Sequence, residues 1–238
     1  MKIIDFNNSI RNGIINGGCL VKIVALLSGG MDSTTALYWA KKKYENVIAI
    51  TFDYGQKNSK EIEFAKWHAD KLKIEHRIIK FNLKEMVRSA LLNEDIPIPK
   101  EEERGRIPQT YVPFRNGIFL AIAGGIAEDV GADAIVGGWN QVDYSGYPDC
   151  RREFLDAMER AINLGTIREG SDSYIRIESP LINMKKSEII KLGLSLGVDY
   201  KHTLSCYEGK VPPCGECPSC RLRKKAWEEL GIDDPIFK

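Results

Sequence analysis

The chain has 238 residues, 43% hydrophobic and 28% charged, enough for one substantial core with at most a small appendage. Its 34 Lys and Arg stand against 33 Asp and Glu, so a net charge of +1 supplies no global field for steering onto nucleic acid or an acidic membrane. No apolar run is long enough to span a bilayer, and Asn and Gly interrupt residues 1–20 where a secretory leader would be continuously apolar; a cytoplasmic protein without a nucleic-acid or membrane partner is expected.

Residues 1–20 are polar, lack sustained periodicity and read as an N-terminal extension. Residues 21–27 are a short continuous apolar run, the pattern of a strand buried on both faces, and a Gly-containing turn follows at once. Ala36, Leu37 and Ala40 recur at helical spacing within 33–43, and 47–52 returns to the buried-strand pattern. The alternation continues with helices expected over 59–72, 116–130, 153–164 and 186–196 and strands over 76–81, 134–136 and 174–178. Such alternation predicts an α/β fold, a doubly wound, mostly parallel sheet with helices on both faces. The main domain is expected over 21–200, with a C-terminal segment, 201–238, that carries most of the cysteines and a closing helix.

Two irregular stretches interrupt this pattern. Residues 93–115 hold Pro97, Pro99, Pro108 and Pro113, and residues 137–150 follow the 134–136 strand. Long loops of this kind are usually functional, and ligands of parallel sheets sit beyond the carboxyl ends of the strands, so both stretches are candidates for one crevice.

Ser28-Gly29-Gly30-Met31-Asp32-Ser33 lies between the first strand and the first helix, where glycines let backbone N–H groups crowd an anion and the helix N-terminus adds its positive end. It lacks both the Walker pattern with its lysine and the G-x-G-x-x-G of a dinucleotide fold. A tight turn with a Ser or Asp cap is the plain alternative. The loop resembles the PP-loop of the N-type ATP pyrophosphatases, which cleave ATP between its α and β phosphates. That resemblance implies an adenine nucleotide alpha hydrolase-like fold, and Ser28, Gly29, Gly30, Asp32 and Ser33 as the cradle of the leaving pyrophosphate, with Asp32 helping to hold Mg²⁺.

Cys206-x7-Cys214-x2-Cys217-x2-Cys220 places four thiols within fifteen positions, close enough to wrap one tetrahedral ion, and Gly215 and Pro218 permit the turns. A closed structural Zn²⁺ site is the leading reading; an iron-sulfur cluster and unmetallated thiols are its rivals. Cys19 and Cys150 read as small hydrophobes, with Cys150 the less settled of the two because of its loop.

Phe52-Asp-Tyr-Gly-Gln56, Val112-Pro-Phe-Arg-Asn116, the run from Asp143 to Arg151 and Ser205-Cys-Tyr207, in this order and company, resemble the 7-cyano-7-deazaguanine synthase family over about 21–223. The resemblance implies a carbon-nitrogen ligase of queuosine-type precursor synthesis. Its substrates would be 7-carboxy-7-deazaguanine, ammonia and ATP, and it would act as a homodimer. A carboxylate is a poor acylating agent, so attack on the α-phosphate gives an acyl adenylate and ammonia then displaces AMP. A second activation, of the amide oxygen, leads to the nitrile. Charge developing on the α-phosphate calls for cations, for which Arg115 and Lys186 are candidates, although an ion-pairing arginine and a solvated lysine are the plain alternatives. One carboxylate can accept both N1–H and the 2-amino group of a deazaguanine, making Asp143 and Asp149 rivals for that edge unless either merely caps a turn. Tyr144 or Tyr147 could stack on the ring. Asp53 and Gln56, where the second strand ends, are candidates for ATP contact, an Asx-type turn being the alternative. Phe114 departs from the pattern, standing where the resemblance implies a smaller residue. A PP-loop enzyme adenylating a tRNA base, or a zinc-stabilised nucleotide-binding module without catalysis, are the alternative functions.

Overall fold

The computed structural model describes residues 21–100, 107–140, 147–167 and 174–238. Its centre is a five-stranded parallel sheet of β1 (Lys22–Leu26), β2 (Asn46–Asp53), β3 (Glu75–Lys80), β4 (Ala134–Val136) and β5 (Arg176–Glu178), in the order β3-β2-β1-β4-β5. The continuous apolar run of β1 is explained by its central place. Val24 faces one hydrophobic layer while Ile23 and Ala25 face the other, and all three are essentially inaccessible.

The helices divide between the two faces. α3 (Arg115–Val130) and α4 (Arg152–Leu164) cover one, through Leu120, Ala123, Leu155 and Ile162. α1 (Met31–Lys43), α2 (Glu61–Leu72) and α5 (Lys186–Ser195) cover the other, through Ala36, Leu37, Ala65 and Ile189. α6 (Pro218–Leu230) packs its Trp227 on Tyr200 and Ile190 at the flank of this second layer. Among the described residues no helix is long and apolar enough to cross a membrane.

The doubly wound parallel expectation holds, and the element bounds shift by a few residues. α1 begins at Met31, two residues before the expected start, and β5 is shorter than expected, its pairing limited to Arg176–Glu178. The order of strands reverses between β1 and β4, so the crevice for a ligand opens beyond the carboxyl ends of these two strands. Gly138 permits that closeness: a Cβ there would stand 2.6 Å from the backbone of Asp32.

Candidate active site

The crevice holds a cavity of about 270 Å³. Its floor is the turn from β1 into α1. Leu27 N–H still donates to Ile50 O, 2.8 Å away, as the sheet ends, and Gly30 then serves as the N-cap of α1 with no side chain capping the helix. Ser28 and Ser33 fold the turn onto itself: Ser33 Oγ accepts from Ser28 N at 3.1 Å and lies 2.9 Å from Ser28 Oγ. Gly29 has φ of +89°, and a Cβ there would fall 2.1 Å from Glu61 O, so only glycine lets the loop lie against the start of α2. The result is a helix N-terminus opening into a cavity, with its positive end and first-turn N–H groups available to an anion.

Two candidate residues distant in sequence meet at this floor. Lys186, the first residue of α5 and 5% exposed, donates from Nζ to Asp32 Oδ2 at 2.5 Å. The other carboxylate oxygen, Asp32 Oδ1, is buried with no hydrogen-bond partner among the described residues. A carboxylate with one oxygen neutralised and the other unpaired beside a phosphate-sized opening suits a divalent cation, so the donor set fits Mg²⁺.

Arg115, the first residue of α3, lines the opposite wall. Its Nη1 donates to Tyr54 Oη at 3.0 Å, and its guanidinium carbon lies 5.9 Å from the centre of the Tyr54 ring and 6.0 Å from that of Phe119. The start of α3 is fixed by Asp149, whose Oδ2 accepts from Asn116 N at 3.1 Å while its backbone oxygen accepts from Asn116 Nδ2. Asp149 is buried by this work and is not among the described residues lining the cavity. Tyr147 does line it, with its hydroxyl 2.7 Å from Thr110 Oγ1. Asp143 and Tyr144 lie outside the described residues. Cys150 lines the cavity and accepts from Asn116 Nδ2 at 3.3 Å; burial and the nearby Asp149 push its thiol up to about 12, which keeps it protonated and a poor nucleophile.

Gln56 reaches the cavity while folding the turn after β2, accepting from Tyr54 N and donating to Phe52 O. Asp53 is not among the described lining residues and stands 3.9 Å from Lys80 Nζ. Strand alternation explains this: Ile50, Phe52 and Tyr54 share the cavity's side, and Asp53 falls between the last two. Phe114 adopts φ of +54° just before α3, remains exposed and meets Phe154 edge-on at 5.8 Å; Gly117 leaves room for its ring.

Glu61, in the first turn of α2 and not among the residues singled out from sequence, also lines the cavity. Its Oε1 accepts from Gln56 Nε2 and its Oε2 from Asn58 Nδ2, each at 3.3 Å. Burial pushes its carboxyl up to about 8, against the opposing influence of Arg115 and the Gln56 hydrogen bond. Its one sequence signal is its place at the helix start right after the Asp-Tyr-Gly-Gln turn.

The last wall comes from the cysteine segment. Leu204 N–H donates to Gly29 O at 2.9 Å, and Ser205, Tyr207 and Arg223 face the cavity. The side-chain sulfurs of Cys206, Cys214, Cys217 and Cys220 all lie within 4.8 Å of one another. Zinc–sulfur bonds of about 2.3 Å put tetrahedral ligands about 3.8 Å apart. The sulfurs of Cys214 and Cys220 stand at 3.8 Å, so the four thiols fit one metal ion.

A helix N-terminus at a sheet reversal, an Asp–Lys pair at its foot and a Ser-Gly-Gly-x-Asp-Ser turn define the PP-loop class of ATP-using enzymes. NMN synthetase from Francisella tularensis shares the fold, with a TM-score of 0.51 and 19% identity over 90% of this chain and 79% of that one. Residues 22–231 match the family described as Queuosine biosynthesis protein QueC, and the chain belongs to that family. The 7-cyano-7-deazaguanine synthase of Trichodesmium erythraeum is 48% identical over 222 residues, 91% of this chain and all of that one. The enzyme of the same name from Saccharophagus degradans is 46% identical over 217 residues, 90% of this chain and 96% of that one.

Proposed function

We propose that the chain converts 7-carboxy-7-deazaguanine to 7-cyano-7-deazaguanine with ammonia and ATP. The observation that carries this reading is the meeting of Asp32 and Lys186 beneath the uncapped start of α1, with Arg115 on the facing wall of the same cavity. It is supported by near full-length similarity to synthases of that name.

In this reading Ser28, Gly29, Gly30 and Ser33 hold the β- and γ-phosphates of the substrate ATP while the carboxylate attacks the α-phosphate. Bound Mg²⁺ would neutralise the pyrophosphate charge, and Asp32 would hold it through the unpaired Oδ1. Lys186 and Arg115 stabilise charge on the α-phosphate, Arg115 held in place by Tyr54. The same phosphate cradle serves both activations, first of the acid and then of the amide. Tyr147 borders the space for the deazaguanine, while Asp149 acts as a positioning residue that fixes the start of α3. We further read the four cysteines as a structural zinc site, because thiolates on separate irons of a cluster would stand farther apart than these sulfurs do. A cytoplasmic homodimer is the assembly we assign.

The test is incubation of the purified chain with ATP, Mg²⁺, ammonium and 7-carboxy-7-deazaguanine, followed by mass spectrometry. Amide and then nitrile are expected, with AMP and pyrophosphate released. Their absence alongside an active control synthase would refute the reading.

A further inference from the structure

The floor of the cavity accounts for ATP, but nothing assigned so far receives the nitrogen. Near neutral pH ammonia is mostly ammonium, a cation with four donors and no lone pair, and it must lose a proton before it can attack an acyl carbon. A receiving subsite therefore needs a carboxylate free of a resident cation, a second acceptor, and a place in the wall of the reaction cavity.

Glu61 and Asn58 meet these requirements. Both line the cavity. Glu61 makes no ion pair among the described residues; its carboxylate oxygens accept only from the Gln56 and Asn58 amides. Asn58 is 9% exposed, and its Oδ1 is buried with no partner among the described residues. That orphan acceptor belongs to the same amide whose Nδ2 donates to Glu61 Oε2 at 3.3 Å. The backbone of Glu61 touches the phosphate loop at Gly29, and Arg115, assigned to the α-phosphate, acts on its carboxyl, so the pair lines the same cavity in which the adenylate would form. The charged and titratable groups acting on Glu61 are Arg115 of α3 and Tyr54 of the turn after β2.

We propose that Glu61 and Asn58 form the ammonium subsite, and that Glu61 takes the proton ammonium must lose before attack. This rests on the reading that ammonia is the nitrogen donor. Ammonium transfers one proton to the Glu61 carboxylate, leaving neutral ammonia held by both acceptors. Its lone pair forms the C–N bond to the acyl adenylate, the bond from the acyl carbon to the phosphate oxygen breaks, and AMP leaves with that electron pair. The surplus proton on the new amide nitrogen passes to solvent, as does the proton on Glu61. Burial pushes the Glu61 carboxyl up to about 8, so it is mainly carboxylate only above that pH; once ionised it is a far better proton acceptor for this step than an ordinary one, and amide formation is expected to rise with pH through about 8.

The experiment compares the wild type with Glu61→Gln and Glu61→Asp in three assays: pyrophosphate exchange into ATP dependent on the carboxylated deazaguanine, amide formation from ammonium, and hydroxamate formation from hydroxylamine. Hydroxylamine is already neutral near pH 7, so it bypasses the first proton transfer. For Glu61→Gln, exchange is expected within about twofold of wild type and amide formation is expected to fall roughly a hundredfold, the scale of a lost acid–base group. Hydroxamate formation is expected to fall far less. Glu61→Asp, which keeps the charge, is expected to recover part of the amide rate with a raised KM for ammonium. Unchanged amide formation in Glu61→Gln, equal losses with both nucleophiles, or loss of exchange in both variants would each overturn the proposal. A wild-type enzyme that forms hydroxamate but no amide from ammonium would instead overturn the ammonia reading itself.

Discussion

The two oxygens of Asp32 are in unequal situations, and the difference assigns them different work. Oδ2 is bound by Lys186 Nζ, which ties the side chain to α5; Oδ1 is buried with no hydrogen-bond partner among the described residues. Leaving a buried acceptor unsatisfied costs about 1–3 kcal/mol, a cost that a ligand at this oxygen offsets. Asp32→Asn keeps the shape and an acceptor for Lys186 but removes the charge. Carboxylate-dependent pyrophosphate exchange is therefore expected to fall by roughly 10²- to 10³-fold, the scale of a removed electrostatic contact. A single cooperative melting transition should persist. Exchange assays on a variant shown by circular dichroism to be folded check this; wild-type exchange would remove Asp32 from the phosphate machinery.

At the level of elements, the loop between β1 and α1 is held by the Ser28 and Ser33 hydroxyls and by backbone contacts, and its two glycines differ in kind. A Cβ at Gly29 would meet Glu61 O at 2.1 Å and Ala65 N at 2.9 Å in a left-handed conformation, whereas one at Gly30 finds nothing nearer than Ser28 Oγ at 3.4 Å, with φ of −79°. Gly29→Ala is expected to lower stability by at least about 2 kcal/mol and to abolish ATP binding, since the loop must leave α2 to relieve the clash. Gly30→Ala should stay within about 1 kcal/mol of wild type. Urea titration and calorimetric ATP binding measure both.

The same elements show what the sequence could and could not convey. The buried runs of β1, β2 and β4 and the helical spacing of α1 and α3 were readable because each depends on local periodicity. The turn over residues 28–33 and the cysteine cluster were readable because the residues of each are close in sequence. Asp53 was readable in principle, as strand alternation puts it opposite Phe52 and Tyr54. Two other residues were not. The carboxylate of Glu61 becomes part of the site only when Gly29 brings α2 against the loop, and Asp149 becomes a cap only when α3 starts beside it. Both facts belong to tertiary structure, and no local pattern carries them.

Over the whole molecule, the cysteine segment supplies one wall of the cavity, through Leu204, Ser205, Tyr207 and Arg223. Leu204 pairs with Gly29, and Arg223, 2% exposed, binds Thr203 O at 2.8 Å, Tyr200 O at 3.0 Å and both oxygens of Asp234. The four thiols thus lie in the same short stretch that contacts the turn over residues 28–33, so a metal held by them and ATP held at that turn would draw on one ordered arrangement. Where two ligands favour the same state, each must raise the affinity of the other. Cys217→Ser should lose the metal and lower Tm by roughly 10 °C, since structural metal sites contribute folding energy directly. It should also weaken ATP binding, though Cys217 is not among the described residues lining the cavity. Elemental analysis, scanning calorimetry and ATP titration on one preparation separate the parts of this claim. Loss of metal with unchanged ATP affinity would show that the wall stands without its ion, and retained metal with unchanged Tm would take Cys217 out of the site.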